Sequence, residues 1–425
     1  MTAAAAAVAA APVVGVDAGR IFSWQPAAAA FTPLAGHRLR HGPPPWRTPA
    51  AGDPGELIAL LGSVDLRGRG GAGFPVARKL QAVAERRSAP VVVVNGVEGE
   101  PLAAKDRALL TATPHLVLDG AMVVAAALGA RSVVVVATER AVPSLERALA
   151  ERSGGARDPV PVVVLGAPRA FVAGEETAVV HFITDGDARP TAKPPRPFER
   201  GVDRRPTLVQ NAETLAQLAL LTAHGADWFR SVGTADEPGT TLVTLSGSVG
   251  RPGVYEVALG SPLAEVVARA GGATAPLRAV LAGGYFGAYL PADVIGRVHW
   301  SRAGLARVGA APGAGVIHLL AASLCPAADA ARTASLLAGE SSGQCGPCVN
   351  GLAAIASALR DLAAGGRPNP AARGRLELWM AQVEGRGACR FPDGAVGTIR
   401  SALTVFADEW AAHARGGCLA GSGRP

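Results

Sequence analysis

A chain of 425 residues, 49% of them apolar, is long enough for two or three domains with sizeable cores, although alanine and valine dominate and only 4% of residues are aromatic. Its net charge of +7 comes from 41 basic against 34 acidic residues, scattered without a dense run or interleaved aromatics. That pattern argues against nucleic acid and fits an acidic protein partner. Only three of the basic residues are lysines, Lys79, Lys105 and Lys193, and each lies inside a motif described below. Five cysteines, an odd number and partly in metal-ligand spacing, point to a reducing, cytoplasmic setting. The Ala-rich start has no basic residue before Arg20, and the longest uncharged span, 308–328, is broken by Pro312, His318 and Pro326. Neither a secretory signal nor a direct membrane span is expected.

Residues 1–50 are Ala/Pro-rich with few periodic apolar positions, which reads as an arm with little structure of its own. Residues 51–235 read as one α/β domain. Within it come a strand at Val91–Val94, a helix at Leu116–Gly129 and a strand at Ser132–Ala137, then a helix over 141–152 and a strand at Val160–Leu165. Alternation at this spacing argues for a parallel sheet covered on both faces. Lys193 to Pro206 is a proline-rich, extended connector. Across 240–320 the order strand, Gly-Arg-Pro-Gly turn, strand, then a helix starting at Ser261-Pro262 and ending at Gly271-Gly272 suits a small β-grasp-like (ubiquitin-like) module. From 325 to 415 the strand signal disappears, and 327–338, 350–364, 372–383 and 395–413 carry helical periodicity, as in a four-helix bundle.

Several loops of the α/β domain carry groups suited to binding. Arg67-Gly-Arg-Gly-Gly-Ala-Gly-Phe74 is a glycine loop ahead of a helix bearing Lys79. Packed glycines let backbone N–H groups approach a phosphate, and a following helix start adds a favourable field. It is neither the dinucleotide fingerprint nor a Walker loop, and an ordinary turn is its plain alternative. Asn95-Gly-Val-Glu98-Gly-Glu100 leaves the carboxyl end of the first strand, where ligands sit in open α/β sheets, though a solvated acidic loop would look the same. Gly174-Glu175-Glu176-Thr177 and Gln210-Asn211-Ala-Glu-Thr214 each open a helix, where acidic first turns are favoured anyway.

The C-terminal region contains Ser342, Cys345 and Cys348 in S-x2-C-x2-C spacing, with Cys389 much later. Two thiolates two residues apart and a third from a distant helix can enclose a cubane iron–sulfur cluster, whose usual fourth cysteine is here a serine. A three-cysteine zinc site and a degenerate, empty site are the alternatives. Cys325 and Cys418 fall outside this spacing and read as core or tail residues, and the eight histidines show no metal-ligand spacing. Gly339-Glu-Ser341-Ser-Gly343 matches a hydrolase elbow, but a helix, not a strand, precedes it.

In this order, these segments resemble the NADH-binding flavoprotein subunit of respiratory complex I and the related subunits of NAD-linked hydrogenases and formate dehydrogenases. The likeness runs from about residue 60 to 410 and also takes in Lys105-Asp106-Arg107. It implies a Rossmann-like FMN domain, a ubiquitin-like module and a four-helix bundle holding one [4Fe–4S] cluster. It further implies FMN contacts at Gly68, Arg69, Gly70, Lys79, Asn95, Glu98, Gly174, Glu175, Glu176, Asn211 and Thr214. NADH would meet Phe74, Glu100, Glu176 and Lys193, and Cys345, Cys348, Cys389 and Ser342 would hold the cluster.

The chain departs from the family pattern at Val97 for Asp, Gln210 for Asn, and Ala82 and Arg196 for two Phe near the nucleotide. A missing aromatic platform removes stacking worth ~1–3 kcal/mol. An arginine plane could replace part of it or meet a 2′-phosphate, favouring NADPH. The resulting expectation is an NAD(P)H dehydrogenase that passes single electrons from FMN through the cluster to a redox partner. A nucleotide-independent relay exchanging electrons with a ferredoxin-like protein, and a non-enzymatic scaffold with a structural metal, are the alternatives.

Overall fold

The computed structural model describes residues 13–14, 19–22, 31–154, 158–364 and 370–420. The chain divides into two compact units, one formed by Met1–Thr244 with Gly253–Ser261 and the other by Leu245–Pro252 with Pro262–Pro425.

The first unit opens, in its described part, with a two-residue strand at Val13–Val14, paired parallel with Val254–Tyr255, and then helices α1 (Leu34–His41), α2 (Pro54–Ser63) and α3 (Val76–Ala84). Strand β1 (Val91–Gly96) leads through α4 (Lys105–Ala112) and α5 (Pro114–Ala127) to β2 (Ser132–Thr138). Helix α6 (Val142–Ser153), β3 (Val162–Ala167), α7 (Glu176–Asp185), β4 (Thr207–Asn211) and α8 (Ala212–Arg230) follow. The four strands form a parallel sheet in the order β3-β2-β1-β4. Valine runs suit strands buried on both sides, and the two-residue period sorts them. Val92, Val94, Val133 and Val135 join the larger core with Leu116, Val117, Leu215 and Leu218 of α5 and α8, whereas Val91, Val93, Val134 and Val136 meet Val179 of α7. Helices α5 and α8 touch closely at Gly120, where a Cβ would stand 1.9 Å from Leu215 O.

The strand order reverses between β1 and β4. The chain steps outward from β1 to β2 to β3, then crosses back to lay β4 on the other side of β1. The crevice at the carboxyl ends of these two neighbours is where open α/β sheets take their ligands.

Residues 31–50, expected to have little structure of their own, pack onto this unit. The anchors are polar, which an apolar pattern does not reveal. Asp119 of α5 is buried and receives His37 Nε2 at 2.8 Å, Arg38 Nη1 at 2.6 Å and Arg152 Nη1 at 2.8 Å. Burial raises the Asp119 carboxyl, but His37, Arg152 and Arg38 outweigh it and hold the group well below the usual carboxylate range. Trp46 is buried as well, with the Arg38 guanidinium 5.4 Å from its ring centre. The proline-rich connector is not a uniform extended run, since it contains a short 3-10 turn at Val202–Arg204.

Strands β5 (Thr240–Gly247) and β6 (Gly253–Ala258) and helix α9 (Leu263–Arg269) occur in the expected order. In the second unit β7 (Leu277–Ala282) pairs antiparallel with both β8 (Ala288–Pro291) and β9 (Val316–Ala321). Helices α10 (Pro326–Gly339), α11 (Ala353–Ala364), α12 (Pro370–Val383), α13 (Phe391–Val405) and α14 (Ala407–Ala414) complete it. The segment expected as one helix over 395–413 is therefore two, broken at Phe406. No single helix among the described residues is long and apolar enough to cross a membrane. Helices α4 and α5 pass that test only as a pair bent by 94°, and α5 is a core helix.

Candidate functional site

Asn95, next to last in β1, and Asn211, last in β4, are register partners, so both stand at the crevice where the strand order reverses. Asn211 is the N-cap of α8, its Oδ1 accepting from Glu213 N at 3.1 Å and Thr214 N at 3.4 Å. Its Nδ2 donates to Asp106 Oδ2 at 2.8 Å. Asn95 Nδ2 donates to Gly174 O at 2.8 Å, which ties the loop after β3 to the end of β1. The glycine loop closes in from α3: Arg69 N donates to Thr214 Oγ1 at 2.8 Å, and Gly68 N to Phe74 O at 2.9 Å.

Two glycines let the backbone pack closely here. A Cβ on Gly70 would lie 3.3 Å from Asn211 Cβ, and one on Gly174 would lie 3.1 Å from Val97 O. Gly68, Arg69, Gly70, Asn95, Gly174, Asn211 and Thr214 are thus brought to one place.

Glu98 approaches the same place from β1. Its Oε1 accepts from Asp106 N at 3.0 Å, while its Oε2 is buried with no partner. Burial, and secondarily the Asp106 carboxylate, push the Glu98 carboxyl up to about 7. A planar heterocycle carrying an imide N–H offers what Glu98 Oε2 lacks. The residues present therefore fit a flavin.

All three lysines belong to this half of the chain and all are ion-paired. Lys79 Nζ lies 3.4 Å from Glu176 Oε2, and Lys193 Nζ lies 2.6 Å from Glu175 Oε1 and 3.1 Å from Glu176 Oε1. Glu175 also caps α7, accepting from Thr177 N at 2.7 Å. Burial lowers the Lys79 ammonium despite Glu176, so an added anion there would be favoured. Lys105, to which the sequence alone assigns no role, is buried with Nζ 3.0 Å from both Asp106 Oδ2 and Glu213 Oε2. This pair of carboxylates holds the ammonium group beneath Asn211. The rarity of lysine among the basic residues is the one sequence signal for it. Phe74 and Glu100 are less enclosed: Phe74 is 50% exposed, and Glu100 Oε1 accepts from Leu102 N at 3.1 Å.

In the second unit, Cys345 precedes a π-helical turn, Pro347–Leu352, that carries Cys348 and runs into α11. Cys389 sits just before α13, in a turn so tight that a Cβ on Gly387 would lie 2.7 Å from Cys389 O. The two segments meet. Burial raises the Cys345 thiol, but N–H groups of Ala388 and Cys348 and the Cys348 thiol outweigh it and bring it below its ordinary value. Burial and the neighbouring Cys345 push Cys348 up to about 12, with Cys389 adding to the shift. The three thiols thus share one neighbourhood, as ligands of an iron–sulfur core must. Ser342, in the same loop, is half-buried.

Comparisons with known proteins cover both regions. Residues 62–220 match the Nuo51 FMN-binding domain, 328–413 the NADH-ubiquinone oxidoreductase-F iron-sulfur binding region, and 242–284 the SLBB domain. An F-type NADH-quinone oxidoreductase subunit of Rhizobium meliloti is 32% identical over 376 residues, covering 85% of this chain and 89% of that protein. NADP-reducing hydrogenase subunit HndC of Solidesulfovibrio fructosivorans is 30% identical, covering 85% and 76%. The crystal structure of an air-oxidized NAD+-reducing [NiFe]-hydrogenase has a chain 30% identical, with a TM-score of 0.80 over 92% of this chain and 68% of that one. The H2-reduced form gives 0.77, and the chain spans 64% of its length. With identity above 30% across nearly nine-tenths of a relative, and the glycine loop, crevice and cysteine turns all present, the chain belongs to the family of F-type NADH-quinone oxidoreductase subunits.

Proposed function

We propose that this chain oxidises NAD(P)H at the crevice between β1 and β4 and delivers the electrons singly to a partner redox subunit. FMN, when bound, accepts an electron pair as hydride and releases it one electron at a time, and an iron–sulfur cluster carries single electrons onward. The observation that carries the reading is the convergence where the strand order reverses: Asn95, Asn211 and the two glycines meet there, and the buried Glu98 Oε2 beside them has no partner.

Gly68, Arg69 and Gly70 supply the loop against the cofactor, and Asn95, Glu98, Gly174, Asn211 and Thr214 supply its polar contacts. Lys79 and the Glu175–Glu176 start of α7 orient it from the other side. Phe74, Glu100, Glu176 and Lys193, nearer solvent, serve the nicotinamide nucleotide. Cys345, Cys348 and Cys389 hold the cluster with Ser342 as fourth ligand. A domain division at 51–235, 240–320 and 325–415 accompanies this reading, with a β-grasp-like module supported by the SLBB match and a four-helix arrangement around the cysteines. The net charge of +7 favours an acidic, ferredoxin-like surface on the partner. The test is an absorption spectrum after anaerobic purification. Flavin and iron–sulfur bands are expected, and their joint absence would leave a scaffold. Bleaching of the flavin by NADH or NADPH is expected, and failure with both would leave a relay without nucleotide.

A further inference from the structure

Apart from the residues of the cysteine loop, four side chains with metal-binding atoms converge inside the second unit. Cys325 is the N-cap of α10, Glu409 and His413 lie one turn apart on α14, and Cys418 is in the tail beyond it. Their ligand atoms all lie within 4.8 Å of one another. His413 Nε2 is 3.2 Å from Cys325 Sγ and 3.1 Å from Glu409 Oε1, and Glu409 Oε1 is 3.2 Å from Cys418 Sγ and 3.9 Å from Cys325 Sγ.

Hydrogen bonding alone explains this crowding poorly. One carboxylate oxygen, on a fully buried residue, faces two thiols and an imidazole while already accepting from Leu419 N at 3.0 Å. Around a tetrahedral ion with bonds of about 2.0–2.3 Å, neighbouring ligand atoms stand about 3.3–3.8 Å apart, close to the separations found. Two sulfurs and an imidazole select zinc over magnesium, calcium or manganese. The surroundings suit such an ion as well. Arg278 Nη2 lies 3.3 Å from the other Glu409 oxygen, offsetting part of the excess negative charge of two thiolates and a carboxylate. Ala328 N donates to Cys325 Sγ at 3.4 Å from the first turn of α10, as outer partners of metal ligands do.

We propose that Cys325, Glu409, His413 and Cys418 form a structural zinc site, separate from the cysteines of the iron–sulfur loop. Four protein ligands leave no open position, so the ion acts as a clamp joining the start of α10, α14 and the tail. Close spacing in sequence, the usual sign of a metal site, leaves Cys325 and Cys418 looking like core or tail residues. The spacing Glu409-x3-His413-x4-Cys418 is present, but its fourth member lies more than eighty residues upstream.

The test is metal analysis of the full chain expressed with zinc and iron supplied, alongside the Cys418→Ser, His413→Ala and Cys345→Ser variants. About one zinc per chain is expected, lost in Cys418→Ser and His413→Ala and kept in Cys345→Ser, which loses iron instead. Cys418 is exposed, so its substitution tests the site without disturbing the core. Should His413→Ala fail to fold, the cobalt-loaded wild type is read instead. A thiolate-to-cobalt charge-transfer band that weakens in Cys418→Ser supports the site. Zinc absent from the wild type, zinc that follows Cys345, or an intact mass showing Cys325 joined to Cys418 as a disulfide would each overturn it.

Discussion

Burial raises the Glu98 carboxyl from 4.5 to about 7, with Asp106 adding to the shift and Arg107 opposing it. The folded protein therefore keeps a proton that the unfolded chain gives up between those values. The stability linked to this group is fully present below about pH 4.5 and is lost as pH rises through about 7. Denaturation of the flavin-free protein across that window, in the wild type and in Glu98→Gln, isolates the effect: the wild type should lose stability relative to the variant as pH rises. Asn211→Ala should cost ~1–2 kcal/mol by denaturant titration, because it uncaps α8 and frees Asp106, and should lower FMN content. Much at this scale is legible in the sequence. An Asn followed by Ala-Glu-Thr announces a cap, and three lysines among 41 basic residues mark positions where arginine would not serve. The pairing of Lys105 with Glu213 is not legible, since only the folded sheet brings residues that far apart in sequence together.

At the scale of elements, period-two burial of valines makes β1, β2 and β3 readable, and Pro114 at the first turn helps place α5. The contact of α5 with α8 at Gly120 depends on a missing side chain, which no periodicity reports. Gly120→Val should push the helices apart and destabilise the first unit by about 1–3 kcal/mol or more, measured by chemical denaturation. The division of 395–413 at Phe406 is hidden in the sequence because no Gly or Pro stands there. Trp410 Nε1 instead reaches back to Ala402 O at 3.2 Å across the break. The cysteine turns lie in the second unit and the flavin crevice in the first, so Cys348→Ala should abolish iron incorporation while leaving FMN content unchanged. Iron assay and flavin fluorescence on the same sample check both halves of that statement.

The whole molecule combines a sheet-edge crevice suited to a flavin with a helical region suited to iron, and the family relationship joins them in one electron path. The resemblance covers both from sequence, because glycine loop and cysteine spacing are local. Polar anchoring of residues 31–50 through Asp119 is hidden, because His37 and Arg38 make no apolar pattern. Two other buried histidines, His115 and His41, set an acid limit. Burial lowers His115 to about 4, with His37 and Arg152 adding to the shift, and lowers His41 to about 3, with His37 and Arg40 adding. The stability linked to them is present above about 6.5 and falls as pH drops toward those values, as the unfolded chain takes up protons first. Thermal melting of wild type against His115→Gln between about pH 7 and about pH 4 should show the wild type losing the more stability. The most direct test of the electron path is a single anaerobic sample of the full chain, loaded with FMN and iron, given NADH or NADPH while the flavin absorbance and the paramagnetic signal of the iron–sulfur centre are followed together. Bleaching of the flavin accompanied by reduction of the iron centre is the predicted result. A reduced flavin beside iron that stays oxidised, or no bleaching with either nucleotide, would contradict it.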